Sequence, residues 1–114
     1  MINLDYQFYK FLYCNREIVG WLAGSNKSEV LSEHSCSPEE FYIEEIVVDS
    51  HYRRRGIGSF LLSWIPKDNL KTIVVDTPLV NKQAIAFYEK SGFVKVPGLS
   101  EEFYKTWIRM SKTV

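Results

Sequence analysis

The chain has 114 residues, 46% of them hydrophobic and 25% charged, a composition typical of one globular domain. Fourteen basic and 14 acidic residues give no net charge, so bulk charge favours neither a nucleic-acid nor a membrane partner. No apolar run is long enough to span a membrane, and the first residues do not have the pattern of a signal peptide. Cys14 and Cys36 lack metal-site spacing. We therefore predict one cytoplasmic domain, residues 1–114, with reduced thiols.

The N-terminal third has the pattern of β-strands. Residues 6–14 are dense in aromatic side chains and residues 17–25 are apolar, with a short turn between them, so a β-hairpin is predicted. The polar segment 26–40 contains serine, asparagine and proline and is predicted to be a loop. Residues 41–49 are predicted to form a strong strand because they end in a β-branched run, Ile46, Val47 and Val48.

Helical and strand patterns alternate in the rest of the chain. Apolar residues from position 57 to 65 recur at helical spacing until Pro66 stops them. A short β-branched strand, 71–77, precedes a second helix that Asn81 can cap and Gly92 can end.

Two final strands are predicted at residues 93–96 and 101–110. The order β-β-β-α-β-α-β-β predicts an α+β (mixed α/β) fold. In that fold a mixed, mostly antiparallel sheet of about six strands packs against two main helices.

The segment between the third strand and the first helix, DSHYRRRGIGSFLL, concentrates three arginines before Gly-Ile-Gly. A helix N-terminus attracts phosphate through its unpaired N–H groups and partial positive charge. Gly56 and Gly58 would let a ligand oxygen approach the backbone, and the neighbouring arginines could pair with a diphosphate. The alternative is a solvated basic turn in which the glycines only permit a tight bend. A nucleic-acid surface built on Tyr52 and these arginines is disfavoured by the zero net charge.

Residues 47–62, VVDSHYRRRGIGSFLL, resemble the acyl-CoA-binding motif of the GNAT superfamily of N-acetyltransferases, Arg/Gln-x-x-Gly-x-Gly/Ala after a strand. Residues 81–93, NKQAIAFYEKSGF, are similar to the second motif of that superfamily, Asn-x-x-Ala-x-x-x-Tyr-x-x-x-Gly-Phe. With the flanking strands, the resemblance extends over roughly residues 6–110. It implies the GNAT fold and a transferase that moves an acetyl group from acetyl-CoA, without a metal, to a primary amine of a small molecule or protein.

The resemblance also implies which residues bind the cofactor. The backbone of Ile46, Val47 and Val48 would hydrogen-bond the pantetheine arm, and the strands ending at Val48 and starting at Lys71 would separate to admit the thioester. Asn81 would contact the pantetheine or acetyl end. The pyrophosphate would be wrapped by a run of seven residues: Arg53, Arg54, Arg55, Gly56, Ile57, Gly58 and Ser59.

Tyr88 is the predicted proton donor or stabiliser of the departing thiolate, by its motif position. Its alternative role is that of a core tyrosine, because it lies on the apolar stripe of its helix. The candidates for a general base are Glu44, Glu45 and Asp76. Side chains alternate along a strand, so only one of the two glutamates is expected to face the cleft. Each of the three acids could instead be solvated, and water could serve as the base.

Four other residues are predicted to be structural or exposed rather than catalytic. His34 and His51 are lone loop histidines. Tyr104 and Trp107 could wall an acceptor pocket, but packing within the sheet is the preferred role for both.

The family pattern has one or two helices before the hairpin, and this chain is expected to lack them. That departure favours a large acceptor such as a protein N-terminus or lysine, or a homodimer whose partner completes the site. Arg54 also stands where many family members have glycine. The competing hypothesis is a non-catalytic module that binds acetyl-CoA or CoA for regulation.

Overall fold

The computed structural model describes residues 8–25, 40–68 and 70–114. Six strands form one sheet with the spatial order β1-β2-β3-β4-β6-β5. The strands are β1 (Phe8–Cys14), β2 (Glu17–Ser25), β3 (Glu40–Val48), β4 (Thr72–Pro78), β5 (Val94–Lys95) and β6 (Trp107–Thr113). The helices are α1 (Ile57–Leu62), α2 (Lys82–Lys90) and α3 (Glu101–Tyr104), and a 3₁₀ turn spans Ser50–Tyr52. The predicted α+β fold with a mostly antiparallel sheet is confirmed, because only β3 and β4 pair in parallel.

One face of the sheet carries the hydrophobic core. The buried residues of this core come from four strands, from α1 and α2, and from the segments that follow those helices: Leu22, Phe41, Ile43, Leu61, Ile65, Ile73, Val75, Tyr88, Phe93 and Met110. α1 approaches α2 closely because Gly58 has no side chain. A Cβ atom there would lie 2.8 Å from Cε1 of Phe87, so a larger residue would require the Phe87 ring to shift.

Local signals in the sequence explain where the elements begin and end. Asn15 and Arg16 both have positive φ (50° and 70°), as two-residue hairpin turns prefer. Oδ1 of Asn81 accepts a hydrogen bond from the Ala84 N–H at 3.1 Å, so Asn81 caps α2 as predicted. Gly92, with φ of 94°, follows the end of α2.

The predicted strand over residues 101–110 is wrong in its first half. Glu101–Tyr104 forms α3, and β6 begins only at Trp107. The physical reason is a helix cap, because the Ser100 hydroxyl accepts a hydrogen bond from the Phe103 N–H at 3.1 Å. Two acidic residues in the first turn of α3 add favourable charge near the helix N-terminus.

Cys14 carries a free thiol among the described residues, whereas Cys36, His34 and most of the predicted loop 26–40 lie outside them, so the prediction of two reduced thiols stays a prediction. Among the described residues, no helix is long and apolar enough to cross a bilayer.

Candidate functional site

β3 and β4 are paired along only part of their lengths. Residues 40–43 of β3 pair with residues 72–75 of β4, and the pairing stops at Ile43 and Val75. Beyond that point β3 stays paired with β2 as far as Val48, and β4 stays paired with β6 as far as Pro78. Because each strand keeps its outer neighbour and loses its inner one, an opening forms between them.

A β-bulge in β3 lies where the opening begins. Gly24 of β2 pairs with Ile43 and Ala23 pairs with Glu45, so Glu44 is an extra residue on β3. The bulge interrupts the alternation of side chains, and both Glu44 and Glu45 border the opening. The alternation on which the expectation of one facing glutamate rests is broken here, so that expectation stays a prediction. Glu45 is exposed and Glu44 is half-buried, with its Oε1 atom shielded from solvent.

The opening contains a cavity of about 220 Å³. Its walls are residues 43–47 of β3, residues 75–78 of β4, and one side of α2. The structure thereby brings together seven of the residues predicted from sequence: Glu44, Glu45, Ile46, Val47, Asp76, Asn81 and Tyr88. Val48 and the arginine-glycine segment lie outside the lining of this cavity.

Tyr88 belongs both to the core and to the wall of the cavity. It is 4% exposed, and its ring contacts Phe87 and Phe93 edge-on, with centroids 5.2 and 5.3 Å away. Burial raises the pKa of Tyr88 above its ordinary value, because the charged phenolate would lose its hydration. The hydroxyl therefore stays protonated at neutral pH and can donate a hydrogen bond into the cavity.

Asp76 is held in a buried cluster on the sheet face away from α1 and α2. Its Oδ1 accepts a hydrogen bond from Nε of Arg109 at 2.7 Å, and its Oδ2 accepts from Nη2 of Arg109 at 2.9 Å. The Tyr42 hydroxyl donates to the same Oδ2 at 3.0 Å. Burial, followed by the charge of Asp76, raises the pKa of Tyr42 above its ordinary value. Sequence reasoning identified Asp76 but neither of its partners.

The arginine-glycine segment is exposed and leads into α1. Arg54 and Gly56 have left-handed backbones, with φ of 64° and 77°. The first N–H groups of α1 lack partners within the helix and lie next to this segment. Nε of Arg53 donates to the Val48 carbonyl at 3.4 Å, and the Arg55 guanidinium lies 5.4 Å from the centre of the Tyr52 ring.

The remaining candidates have structural contacts. Because Oδ1 of Asn81 caps α2, a ligand would be met by its amide nitrogen. The Tyr104 hydroxyl donates to the Val96 carbonyl and accepts from the Leu99 N–H, which agrees with a packing role. Trp107 pairs with Pro78 at the start of β6, and the His51 side chain is 88% exposed. No group of His, Cys, Asp or Glu side chains in the described part of the chain is arranged to hold a metal ion.

Comparison with known proteins agrees with this geometry. The model of the Acetyltransferase (GNAT) family matches residues 3–93. N-alpha-acetyltransferase 30 of Dictyostelium discoideum is 32% identical over 91 residues, which cover 76% of this chain and 46% of that protein. An uncharacterized N-acetyltransferase of Methanocaldococcus jannaschii is 31% identical over 98 residues, 82% of this chain and 37% of that protein. This chain thus spans less than half the length of both relatives.

Two solved structures share the fold. A putative streptothricin acetyltransferase from Bacillus anthracis, in complex with acetyl coenzyme A, superposes with a TM-score of 0.71 and 26% identity. That match covers 93% of this chain and 61% of the other. An acetyltransferase from Thermus thermophilus superposes with a TM-score of 0.74 at 18% identity, over 93% of this chain and 63% of the other.

Proposed function

The chain belongs to the GNAT family of acetyltransferases, and we propose that it transfers the acetyl group of acetyl-CoA to a primary amine of a small molecule or protein. The observation that carries this proposal is the opening between β3 and β4, whose cavity is walled by Tyr88 on one side and by the bulge at Glu44 on the other. The acetyl-CoA complex of the B. anthracis relative supports the choice of donor.

In this proposal the donor lies along β3. The inner edge of Ile46, Val47 and Val48 has lost its β4 partner, so its backbone groups can bind the pantetheine arm as an added strand would. The N–H groups from Arg53 to Ser59 bind the pyrophosphate, and the three arginines add charge-assisted contacts. This arrangement explains why positive charge is concentrated there in a chain of zero net charge.

Acyl transfer needs a neutral amine, stabilisation of the oxyanion that forms on the carbonyl, and a proton for the departing sulfur. In the proposed mechanism, backbone N–H groups at the end of β3 stabilise the oxyanion. The amine nitrogen forms the new C–N bond and the base receives the proton that the amine loses, after which the oxyanion collapses and the C–S bond breaks. Tyr88, which walls the cavity, donates its hydrogen bond or proton to the departing sulfur.

Among the candidate bases we favour Glu44. Glu44 is half-buried at the bulge and lines the cavity, whereas Glu45 is exposed and the Asp76 side chain is held by Arg109 on the sheet face away from α2. A half-buried carboxylate can be positioned against an amine more firmly than an exposed one. The competing route is that water accepts the proton of the amine, either alone or with Glu44 as its partner.

For the acceptor, we propose the α-amino group of a polypeptide as the first class to test. The printed name of the D. discoideum relative, N-alpha-acetyltransferase, supports this choice. A matched pair of peptides separates it from lysine acetylation: one with a free N-terminus and no lysine, and one with a blocked N-terminus and a lysine. Acetylation of the lysine peptide alone would contradict the α-amino assignment.

A cytoplasmic homodimer is also part of the proposal. Tyr9 and Phe11 lie on one face of the edge strand β1 and are 48% and 45% exposed, which supports a covered surface there. The free thiol of Cys14 supports a reducing compartment. Sedimentation equilibrium tests the dimer directly, and a monomer at micromolar concentration would contradict it.

The experiment that tests the proposed function measures thiol release from acetyl-CoA with a panel of peptides, polyamines, aminoglycosides and amino acids, beside direct binding of CoA. We expect amine-dependent release that falls at least about tenfold in Tyr88→Phe, since one donor to the reacting centre is lost, while CoA binding changes little. Tyr13→Phe is the matched control, because Tyr13 is 59% exposed and outside the cavity.

Two other outcomes would contradict the proposal in different ways. Binding of CoA without thiol release for any amine would indicate the non-catalytic binding module. Absence of CoA binding would contradict the assignment of residues 53–59 to the pyrophosphate.

A further inference from the structure

We propose that Tyr42, Asp76 and Arg109 are positioning residues that fix where and how far β3 and β4 separate, and that Asp76 is therefore not the general base. This inference rests on the proposed function, because the separation matters only if the opening between the strands holds the reacting groups.

The cluster lies at the closed end of the opening. Ile43 and Val75 are the last paired residues of the two strands. Tyr42 precedes one of them and Asp76 follows the other. Tyr42 is paired with Val74 in the strand register, so its hydroxyl reaches two residues farther along β4 to bond Asp76. A side-chain hydrogen bond therefore joins the strands where their backbone pairing ends.

Asp76 is also anchored on its other side. Asp76 and Arg109 are direct partners in the β4–β6 register, and two hydrogen bonds join their side chains on the same face. The carboxylate is fully buried and the guanidinium is 11% exposed. The Phe103 ring of α3 lies 5.7 Å from the guanidinium carbon and covers it. Three strands and α3 thus converge on one carboxylate.

A buried ion pair is a poor source of stability, because removing two charges from water offsets most of their attraction. Its advantage over an apolar group of the same size is direction, since a bidentate arginine–carboxylate pair permits few geometries. The Tyr42–Asp76–Arg109 cluster is therefore better suited to holding β4 at one angle than to adding stability.

The angle of β4 matters because α2 follows β4 after only three residues. Asn81 and Tyr88 belong to that helix and its cap, so they move with the end of β4. The groups proposed to bind the pantetheine arm and pyrophosphate lie instead on β3 and the arginine-glycine segment. A change in the separation would therefore move Tyr88 away from the sulfur while leaving most of the cofactor contacts in place.

Base catalysis by Asp76 conflicts with the same contacts. Its two oxygens accept three hydrogen bonds, two of them from a cation, so taking a proton from an amine would break the ion pair and leave Arg109 buried without its counter-ion.

The test compares kcat, KM and the CoA dissociation constant of the full chain as a function of pH, in wild type, Tyr42→Phe, Asp76→Asn and Glu44→Gln. Thermal unfolding of each variant establishes that it is folded at the assay temperature. Tyr13→Phe again serves as the matched tyrosine control.

In Tyr42→Phe we expect kcat to fall about tenfold, since small misplacements of reacting groups cost up to about 100-fold in rate. We expect the CoA dissociation constant of this variant to change less than about threefold. Asp76→Asn removes the counter-ion of Arg109, so we expect kcat to fall at least as far as in Tyr42→Phe while the acidic limb of the pH profile is retained.

Three results would overturn the inference. Loss of the acidic limb in folded Asp76→Asn would make Asp76 the base. Wild-type kcat in folded Tyr42→Phe, or a fall in kcat matched by an equal loss of CoA affinity, would show that the cluster does not position α2. A wild-type chain that neither binds CoA nor releases thiol would overturn the proposed function itself, and this inference with it.

Discussion

The two halves of the β3–β4 pair differ sharply although they belong to the same two strands. In the paired half, Phe41, Ile43, Ile73 and Val75 are buried in the core beneath the helices. In the separated half, residues 44–48 of β3 are half-buried or exposed, and residues 44–47 border a cavity. One half is bound on both edges by neighbouring strands, and the other has one edge available to a ligand.

This difference shows how one sheet combines stability with access. In the separated half β3 stays paired with β2 and β4 stays paired with β6, so the strands on both sides of the opening remain part of the sheet. The bulge at Glu44 and the last β3–β4 pair coincide, which places the change of strand direction and the start of the cavity at one point. Substitutions in the paired half should therefore affect stability, and those in the separated half should affect ligand binding and turnover.

The largest expected effect compares one residue type in the two halves of β3. Ile43 is 2% exposed in the core, and Ile46 is half-buried beside the opening. We expect Ile43→Ala to lower the free energy of unfolding by about 2–5 kcal/mol, the usual range for a buried isoleucine, and Ile46→Ala by clearly less. Urea denaturation of both variants measures this difference.

Acetyl-CoA binding provides the reverse comparison for the same two variants. Ile46→Ala should raise the dissociation constant of acetyl-CoA more than folded Ile43→Ala does. Equal losses of stability would mean that the core extends past the last strand pair, and that the division into two halves is incorrect.

Much of this division could be predicted from sequence, because it depends on local patterns. The β-branched run at Ile46, Val47 and Val48 predicts a strand, and Asn81 and Gly92 predict the bounds of α2. Separation of the strands ending at Val48 and starting at Lys71 followed from the family resemblance. The bulge did not, because register depends on the partner strand: an extra residue is visible only when Ala23 and Gly24 are set against β3.

The contacts on the opposite face of the sheet were also beyond sequence reasoning. Tyr42 and Arg109 are 34 and 33 residues from Asp76, and no local pattern indicates that strand pairing brings them together. The signal for α3 was present in Ser100 followed by two glutamates, an N-cap signature, but the aromatic residues after it favoured a strand.

An intermediate effect is expected at alkaline pH, where the two buried tyrosines can be compared. Tyr42 lies in the paired half and Tyr88 faces the separated half, and burial raises the pKa of both above 10. Above pH 10 the unfolded chain releases protons that the folded chain retains, so stability falls as pH rises. Each tyrosine should contribute a loss of about 1.4 kcal/mol at pH 11.

Urea titrations at pH 8 and pH 11 measure this loss in wild type, Tyr42→Phe and Tyr88→Phe. Each variant should lose about 1.4 kcal/mol less than wild type on going to pH 11, whereas Tyr13→Phe, the exposed control, should follow wild type. An unchanged loss in Tyr88→Phe would mean that its hydroxyl is hydrated through the opening, and that the separated half is wetter than its burial implies.

The smallest expected effect concerns backbone strain beyond the separated half. Arg54 has a left-handed backbone, with φ of 64°, which costs a residue with a side chain about 1–2 kcal/mol. Arg54→Gly removes this cost but adds entropy to the unfolded chain, so we expect a net gain in unfolding free energy of up to about 1 kcal/mol. Arg55→Gly is the matched control, because Arg55 has a negative φ, and we expect its unfolding free energy to fall by about 0.5–1 kcal/mol.

Both variants remove one positive charge near the proposed pyrophosphate site, so both should weaken CoA binding by similar, severalfold amounts. Opposite changes in unfolding free energy with equal changes in the CoA dissociation constant would separate two effects of Arg54. Its backbone strain would lower the stability of the turn, and its charge would strengthen ligand binding. If Arg54→Gly instead lowers stability, the left-handed conformation carries no cost that glycine can relieve.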